Sequence, residues 1–172
     1  MLHPVPATTD PAQALRWVGA RAGVEGLVGK SVWASYVGGQ ASGWVKWRSR
    51  HATEAVVMGV TGATPATQAL VLGRPQAGRI RAVGVSLPLP QAVRMAVAPL
   101  LHGTGEGMRE LPGTVGGLSG ADPVLYVPVE PEVVVEIEVD QERLEFGRHR
   151  HRPRVRRVRG DLTPGHLSEH PG

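Results

Sequence analysis

The sequence predicts an α+β chain in two parts, a short segment of helix and strands followed by a small β-barrel with one helix. Three observations carry that expectation. Apolar residues recur at helical spacing near the start, strand-like runs separated by turn residues follow from residue 54, and residues 133–140 alternate between apolar and acidic.

The elements follow in order. Asp10 before Pro11 reads as an N-cap and first helical residue, and Leu15, Val18 and Ala22 share a helical spacing before Gly23 stops the run, so a helix is expected over residues 10–22. Val24 to Lys30 and Trp44 to Arg48 read as brief strands joined by the Gly- and Ser-containing connector Tyr36 to Gly43. Glu54 to Val60, Gln68 to Leu72 and Arg79 to Val85 form an antiparallel meander with turn signals at Gly62, Pro65, Gly73 and Gly78. Val93, Ala96, Val97, Leu100 and Leu101 mark one face of a helix over Gln91 to Leu101, which Pro99 should bend or end early. Seven glycines between His102 and Asp122 predict a mobile loop. Val133, Val135, Ile137 and Val139 then alternate with Glu136, Glu138 and Asp140 as in a half-buried strand. A short strand, Arg154 to Arg159, precedes a polar tail. Three strands, a helix and further strands within about 110 residues is the order of a five-stranded OB-fold barrel, although other small barrels fit almost as well.

A chain of 172 residues makes one ordinary domain or two small ones. With 41% apolar and 20% charged residues it falls in the globular range, while 38 Gly and Pro imply long loops. The absence of cysteine excludes disulfides, thiolate zinc sites and thiol catalysis, and suits the cytoplasm. No apolar run reaches the roughly 18 residues of a membrane span, and the first ten residues lack the pattern of a signal peptide, so no membrane partner is expected. The sequence pI of about 10.3 says less than the placement of charge: residues 130–142 carry six acids and no base, and residues 143–159 carry eight Arg against one Glu. A basic partner surface is therefore expected near the C-terminus.

Glu25-Gly26-Leu27-Val28-Gly29-Lys30, the Tyr36-containing connector and Ser42-Gly43-Trp44-Val45-Lys46-Trp47-Arg48 closely resemble motifs IV and V of ATP-dependent DNA ligases, in spacing as well as in residues. Thr53 to Val57 with Gly59 and Gly62, Leu70 to Gly73, and Pro131 to Glu136 resemble the OB domain of small bacterial ligases, and Arg152 to Leu162 is similar to their motif VI. The resemblance runs over residues 4–165. It implies a remnant of an adenylation domain over residues 1–48, an OB domain over 52–163 and a flexible tail over 164–172.

The resemblance also implies a chemistry. Such ligases attach AMP to a lysine, pass it to the 5′-phosphate at a nick, and let the 3′-hydroxyl displace it. Each step moves a phosphoryl group, which calls for positioning and charge neutralisation by divalent metal, Lys and Arg. By resemblance, Glu25 would help hold Mg²⁺, and Lys30, Lys46 and Arg48 would contact the phosphates of ATP or AMP. Arg159 and Asp161 would belong to the motif that closes over ATP, and Arg148, Arg150, Arg152, Arg154, Arg156 and Arg157 would face nicked double-stranded DNA. Each has a plainer competitor: Glu25 as a solvated turn residue, Lys46 as a stem laid across Trp44 and Trp47, the Arg cluster as a charged strand edge. His149 and His151 read as structural.

The family's nucleophile is the lysine of a Lys-x-Asp-Gly motif. Only Lys30 and Lys46 are present, followed by Ser-Val-Trp and Trp-Arg-Ser, so neither is that nucleophile. Gly29 stands where a β-branched residue is usual, and Arg48 where a second Lys is common. The expectation is a C-terminal ligase portion whose nucleophile comes from elsewhere, in repair or recombination, with a separate chain as one possible source. A non-catalytic OB module that binds nucleic acid and a decayed remnant are the competing readings, the former disfavoured by only seven aromatic residues for stacking.

Overall fold

In the computed structural model, the structure describes residues 5–18, 24–33, 35, 43–62, 68–112, 114–115, 118–119, 122–140, 144 and 147–169. The chain divides into two units, Met1–Ser49 and Arg50–Gly172. Among the described residues sheet predominates, with two seven-residue α-helices against eleven strands.

In the first unit, the Asp10 carboxylate accepts a hydrogen bond of 2.9 Å from the Ala12 backbone N–H and starts α1 (Pro11–Trp17). The extended backbone of Val18 ends the helix, five residues before the Gly23 stop expected from sequence. No residue of α1 is buried, so no packed face holds a longer helix together. Residues 19–23 and most of the Tyr36 to Gly43 connector lie outside the described residues. β1 (Gly26–Lys30) and β2 (Trp44–Arg48) pair antiparallel, with Gly26 opposite Arg48, Val28 opposite Lys46 and Lys30 opposite Trp44. A Cβ at Gly26 would strike the Trp47 carbonyl oxygen, so only glycine permits the strands to meet there.

The second unit is built on β3 (His51–Thr61), β4 (Ala69–Gln76) and β5 (Arg79–Val85), the meander expected from sequence but with longer strands. Gly73 is no turn. It lies inside β4, where a Cβ would strike the Met58 sulfur, and the chain reverses at Ala77–Gly78, where Gly78 was an expected turn signal. Ala77 (φ 49°) and Gly78 (φ 71°) both have positive φ, as a two-residue hairpin turn of the I′ kind requires. β4 is buried from Ala69 through Gly73, which explains its unbroken apolar run. One face of the sheet packs Val57, Leu70, Leu72, Val83, Val135, Ile137 and Val155 into the main core, and the other packs Val71 with Leu111 and Tyr126.

α2 (Gln91–Val97) passes into a 3-10 turn (Ala98–Leu100) at the expected Pro99. That change of pitch rotates the expected apolar face: Val93, Val97 and Leu101 reach the core, whereas Ala96 and Leu100 are exposed. The glycine-rich region holds short strands, β6 (Arg109–Leu111), β7 (Thr114–Val115) and β8 (Leu118–Ser119). β9 (Val124–Pro128) was not anticipated from sequence; its run is short and ends in proline. β10 (Val134–Val139) buries the alternate positions Val135, Ile137 and Val139 as expected, and β11 (Arg154–Val158) follows.

All pairings are antiparallel, in the order β11-β10-β3-β4-β5, with β9 on β3 and β6 on β9. Seven strands thus form the sheet, not five. β3 bears the curl. It pairs with β10 along His51–Val56, carries a register shift between Val57 and Gly59, and then pairs with β9. Such bulges bend a strand and raise its twist, and here the sheet curls into an antiparallel half-barrel. Backbone hydrogen bonds of 2.8 Å, from His149 to Val83 and from Leu87 to Pro153, join β5 and its exit to the segment entering β11. Beyond β11, the expected tail begins with a 3-10 turn, Pro164–His166, and the Glu169 carboxylate accepts from the Gly78 backbone N–H at 2.9 Å. Residues 170–172 lie outside the described residues.

Candidate functional site

The first unit presents a cationic hairpin. Residues directly opposite in an antiparallel pair point to the same side, and side chains two apart on a strand share a face. The β1–β2 register therefore places Lys30, Trp44, Lys46 and Arg48 on one face. Lys46 is exposed, and Arg48 is half-buried. The Lys30 ammonium lies 3.8 Å from the centroid of the Trp44 ring, a cation–π contact that the sequence pattern did not reveal; Lys30, not Lys46, is the lysine set over a tryptophan. Glu25 is half-buried just before β1, and its carbonyl oxygen accepts from the Ser49 backbone N–H at 3.0 Å, which extends the pairing beyond Arg48. Among the described residues no three His, Asp or Glu side chains gather as metal ligands. A single carboxylate at Glu25 suits a Mg²⁺ held mainly by water and substrate phosphates, and not a protein cage.

On the second unit, Arg154, Arg156 and Arg157 of the residues expected to meet DNA lie on β11, and Arg159 and Asp161, expected to meet ATP, follow it directly. Arg159 donates to both oxygens of Asp161, from Nε at 2.9 Å and Nη2 at 2.8 Å, and its Nη1 reaches Glu54 at 2.8 Å and Glu136 at 3.8 Å. The first of these bonds dominates the electrostatics. Arg159 holds the Asp161 carboxyl down at about 2, and the surrounding carboxylates, Asp161 foremost, raise the Arg159 guanidinium above its ordinary range.

The Arg cluster is largely engaged within the fold. Arg157 donates to Glu136 at 3.1 and 2.8 Å, and Arg156 donates through Nε to Glu138 at 2.8 Å. Arg50 takes the other Glu138 oxygen at 2.7 Å. The hydrogen bond from Arg156, with help from Arg50, lowers the Glu138 carboxyl against the opposing effect of burial. Arg152 places Nε and Nη2 on the Ser86 carbonyl at 2.9 and 2.5 Å, and Arg148 donates to the Pro112 carbonyl at 2.8 Å. Arg154 is exposed on β11, as is Arg150 in the approach to it. Sequence reasoning missed Glu54, Glu136, Glu138 and Arg50 as partners. The signal was present, because the acidic block and the Arg block become neighbouring strands. His149 is buried with its N–H on Val83, and His151 lies 3.3 Å from Asp140.

No family model matches the chain. It is 30% identical to DNA ligase C of Mycobacterium tuberculosis (strain ATCC 25618 / H37Rv) over 187 residues, covering 95% of this chain and 51% of that protein. The chain thus spans about half the length of the curated relative it matches. The crystal structure of the ligase domain from M. tuberculosis LigD superposes with a TM-score of 0.53 at 22% identity, over 85% of this chain and 48% of that one, which shows a shared fold. A mycobacterial DNA ligase D complexed with ATP and MES gives 0.48 at 25% identity, over 74% of this chain and 40% of that one. Along nearly its whole length this chain is thus similar to a C-terminal part of an ATP-dependent DNA ligase.

Proposed function

We propose that the chain supplies the phosphate-binding hairpin and the OB domain of an enzyme that seals nicks in double-stranded DNA during repair or recombination. The observation that carries this reading is the 30% identity to DNA ligase C over 95% of the chain. Residues 1–48 serve as adenylation-domain structure, residues 52–163 as the OB domain and residues 164–172 as a tail, in the cytoplasm. The five-strand path β11-β10-β3-β4-β5, α2 directly after the third strand of the meander, and the bonds joining β5 to the approach to β11 support the OB assignment. β6 to β9 are then an elaboration of it.

ATP would supply the AMP that activates a 5′-phosphate, and Mg²⁺ would neutralise its phosphate oxygens. Glu25 offers the metal a carboxylate, and the Lys30, Lys46 and Arg48 face offers the phosphates cations held on a paired strand. In the OB domain, Arg159, oriented by Asp161, is a further cation suited to a phosphate. Among the arginines assigned to DNA, Arg154 is the leading phosphate contact, because Arg156 and Arg157 are already neutralised by Glu138 and Glu136. The nucleotidyl lysine comes from sequence outside this chain, on the same or a separate polypeptide.

Intact mass after incubation with ATP and Mg²⁺ tests this. The chain alone should carry no covalent AMP; an adduct on Lys30 or Lys46 would sink the argument. Adding the Lys-x-Asp-Gly half of a DNA ligase C should restore sealing of a nicked duplex, and Lys46→Met should abolish it.

A further inference from the structure

We infer that His166 and Glu169 are positioning residues for Arg159: through a strap over residues 162–169 they hold Asp161 on the guanidinium. The inference rests on the reading of Arg159 as a cation that matters to the chemistry, and names what orients it. Asp161 is poorly placed to do so unaided. It is exposed, and Gly160, which separates it from Arg159, sits where an added Cβ would meet nothing within 4 Å. A glycine so unconfined has many backbone conformations open to it, and only some bring the carboxylate onto both Nε and Nη2. An exposed ion pair contributes little when its own formation must order the chain.

The order comes from both sides of the pair. Upstream, the Arg159 backbone N–H donates to the Val134 carbonyl on β10 at 2.8 Å, and the Leu162 N–H turns back to the Arg159 carbonyl at 3.0 Å. Downstream, Thr163 and His166 cap each other: the Thr163 N–H donates to His166 Nδ1 at 3.1 Å, and the His166 N–H to the Thr163 carbonyl at 2.9 Å. Pro164 fixes its own φ between them. Leu162, Pro164 and Leu167 are half-buried while Thr163, Gly165 and His166 are exposed, which gives the strap an apolar underside. Glu169 is the far anchor, its carboxylate accepting at 2.9 Å from the Gly78 N–H in the β4–β5 turn. In the sheet, β10 and β3 stand between β11 and that hairpin, so the strap ties together strands that do not pair. The run from Gly160 to Thr163 is thereby held at both ends.

Nuclear magnetic resonance of the full chain labelled with ¹⁵N-arginine tests this at about pH 8, where the imidazole is neutral and Nδ1 can accept. The two-pronged grip of Asp161 should hinder rotation about the Cζ–Nε bond and keep Nη1 and Nη2 of Arg159 as separate signals. Glu169→Ala should speed exchange of the Gly78 amide by about tenfold, through loss of a charge-assisted bond, and merge the two Nη signals. Glu169→Gln, which keeps an oxygen to accept, should leave the Nη signals separate. His166→Ala should merge them as Glu169→Ala does, while the amides of Val57 and Ile137 stay protected and show the sheet intact. Nη signals that are merged in the native chain, or that stay separate in both alanine variants, overturn the positioning role. So does a Glu169→Gln chain that behaves like Glu169→Ala. None of these measurements involves ATP or DNA, so such a failure leaves the ligase reading standing, and failure of nick sealing would leave the strap standing.

Discussion

Arg159 grips both oxygens of Asp161 along one edge of its guanidinium, and the fork geometry makes this a stronger bond than a single ammonium would form. The Asp161 carboxyl is held at about 2, below its ordinary value of 3.8. The folded chain therefore favours the ionised form, and the contribution is present above the ordinary value and fades as pH falls through about 2. A ¹³C titration of the Asp161 carboxyl should give a midpoint near 2 in the native chain and in the ordinary carboxylate range in Arg159→Ala. An unchanged midpoint would assign the shift to other groups. The same guanidinium reaches Glu54 and Glu136, which stand directly opposite each other on β3 and β10. Like charges so placed repel, and Arg159 offsets them.

At the level of strands, the ladder between β10 and β11 decides how much of the basic block is left for a partner. Glu136 lies opposite Arg157, and Glu138, opposite Arg154, gives its oxygens to Arg156 and Arg50. Half-exposed pairs of this kind are worth roughly 0.2–1 kcal/mol each. Their larger effect is to neutralise cations that would otherwise attract phosphate. DNA binding should be weak, insensitive to sequence and steeply salt-dependent. Arg154→Ala should lower the slope of log affinity against log salt by about one, and Arg157→Ala should change it less. Equal losses would mean that DNA displaces Glu136. Opposed strands of unlike charge were foreshadowed by the two charge blocks, but which arginine meets which glutamate depends on register, and the shift between Glu136 and Ile137 is not written in the alternation of residues.

Across the whole chain, stability should be uneven. The second unit buries Val56, Val57, Leu70, Leu72, Val135 and Ile137 completely or nearly so, whereas α1 buries nothing and the β1–β2 sheet leaves Val28, Val45 and Trp47 exposed. A lone two-stranded ribbon is marginal in water. Hydrogen exchange should be slow at β3, β4 and β10 and fast over residues 26–30 and 44–48; equally slow exchange in the hairpin would mean that it is covered by a second copy or another chain. Much of this was legible from residue order. The apolar–acidic alternation at 133–140, the meander and the motifs Glu25 to Lys30 and Trp44 to Arg48 identify strands and family, because strand periodicity and motif spacing are local properties. Gly73 was misread because a glycine's lack of a side chain serves a turn and a crowded strand equally well, and only the approach of Met58 tells them apart. The ion-pair partners, the Lys30–Trp44 contact and the change of partner along β3 from β10 to β9 join residues far apart in sequence or depend on the pairing register, so they exist only once the sheet has formed.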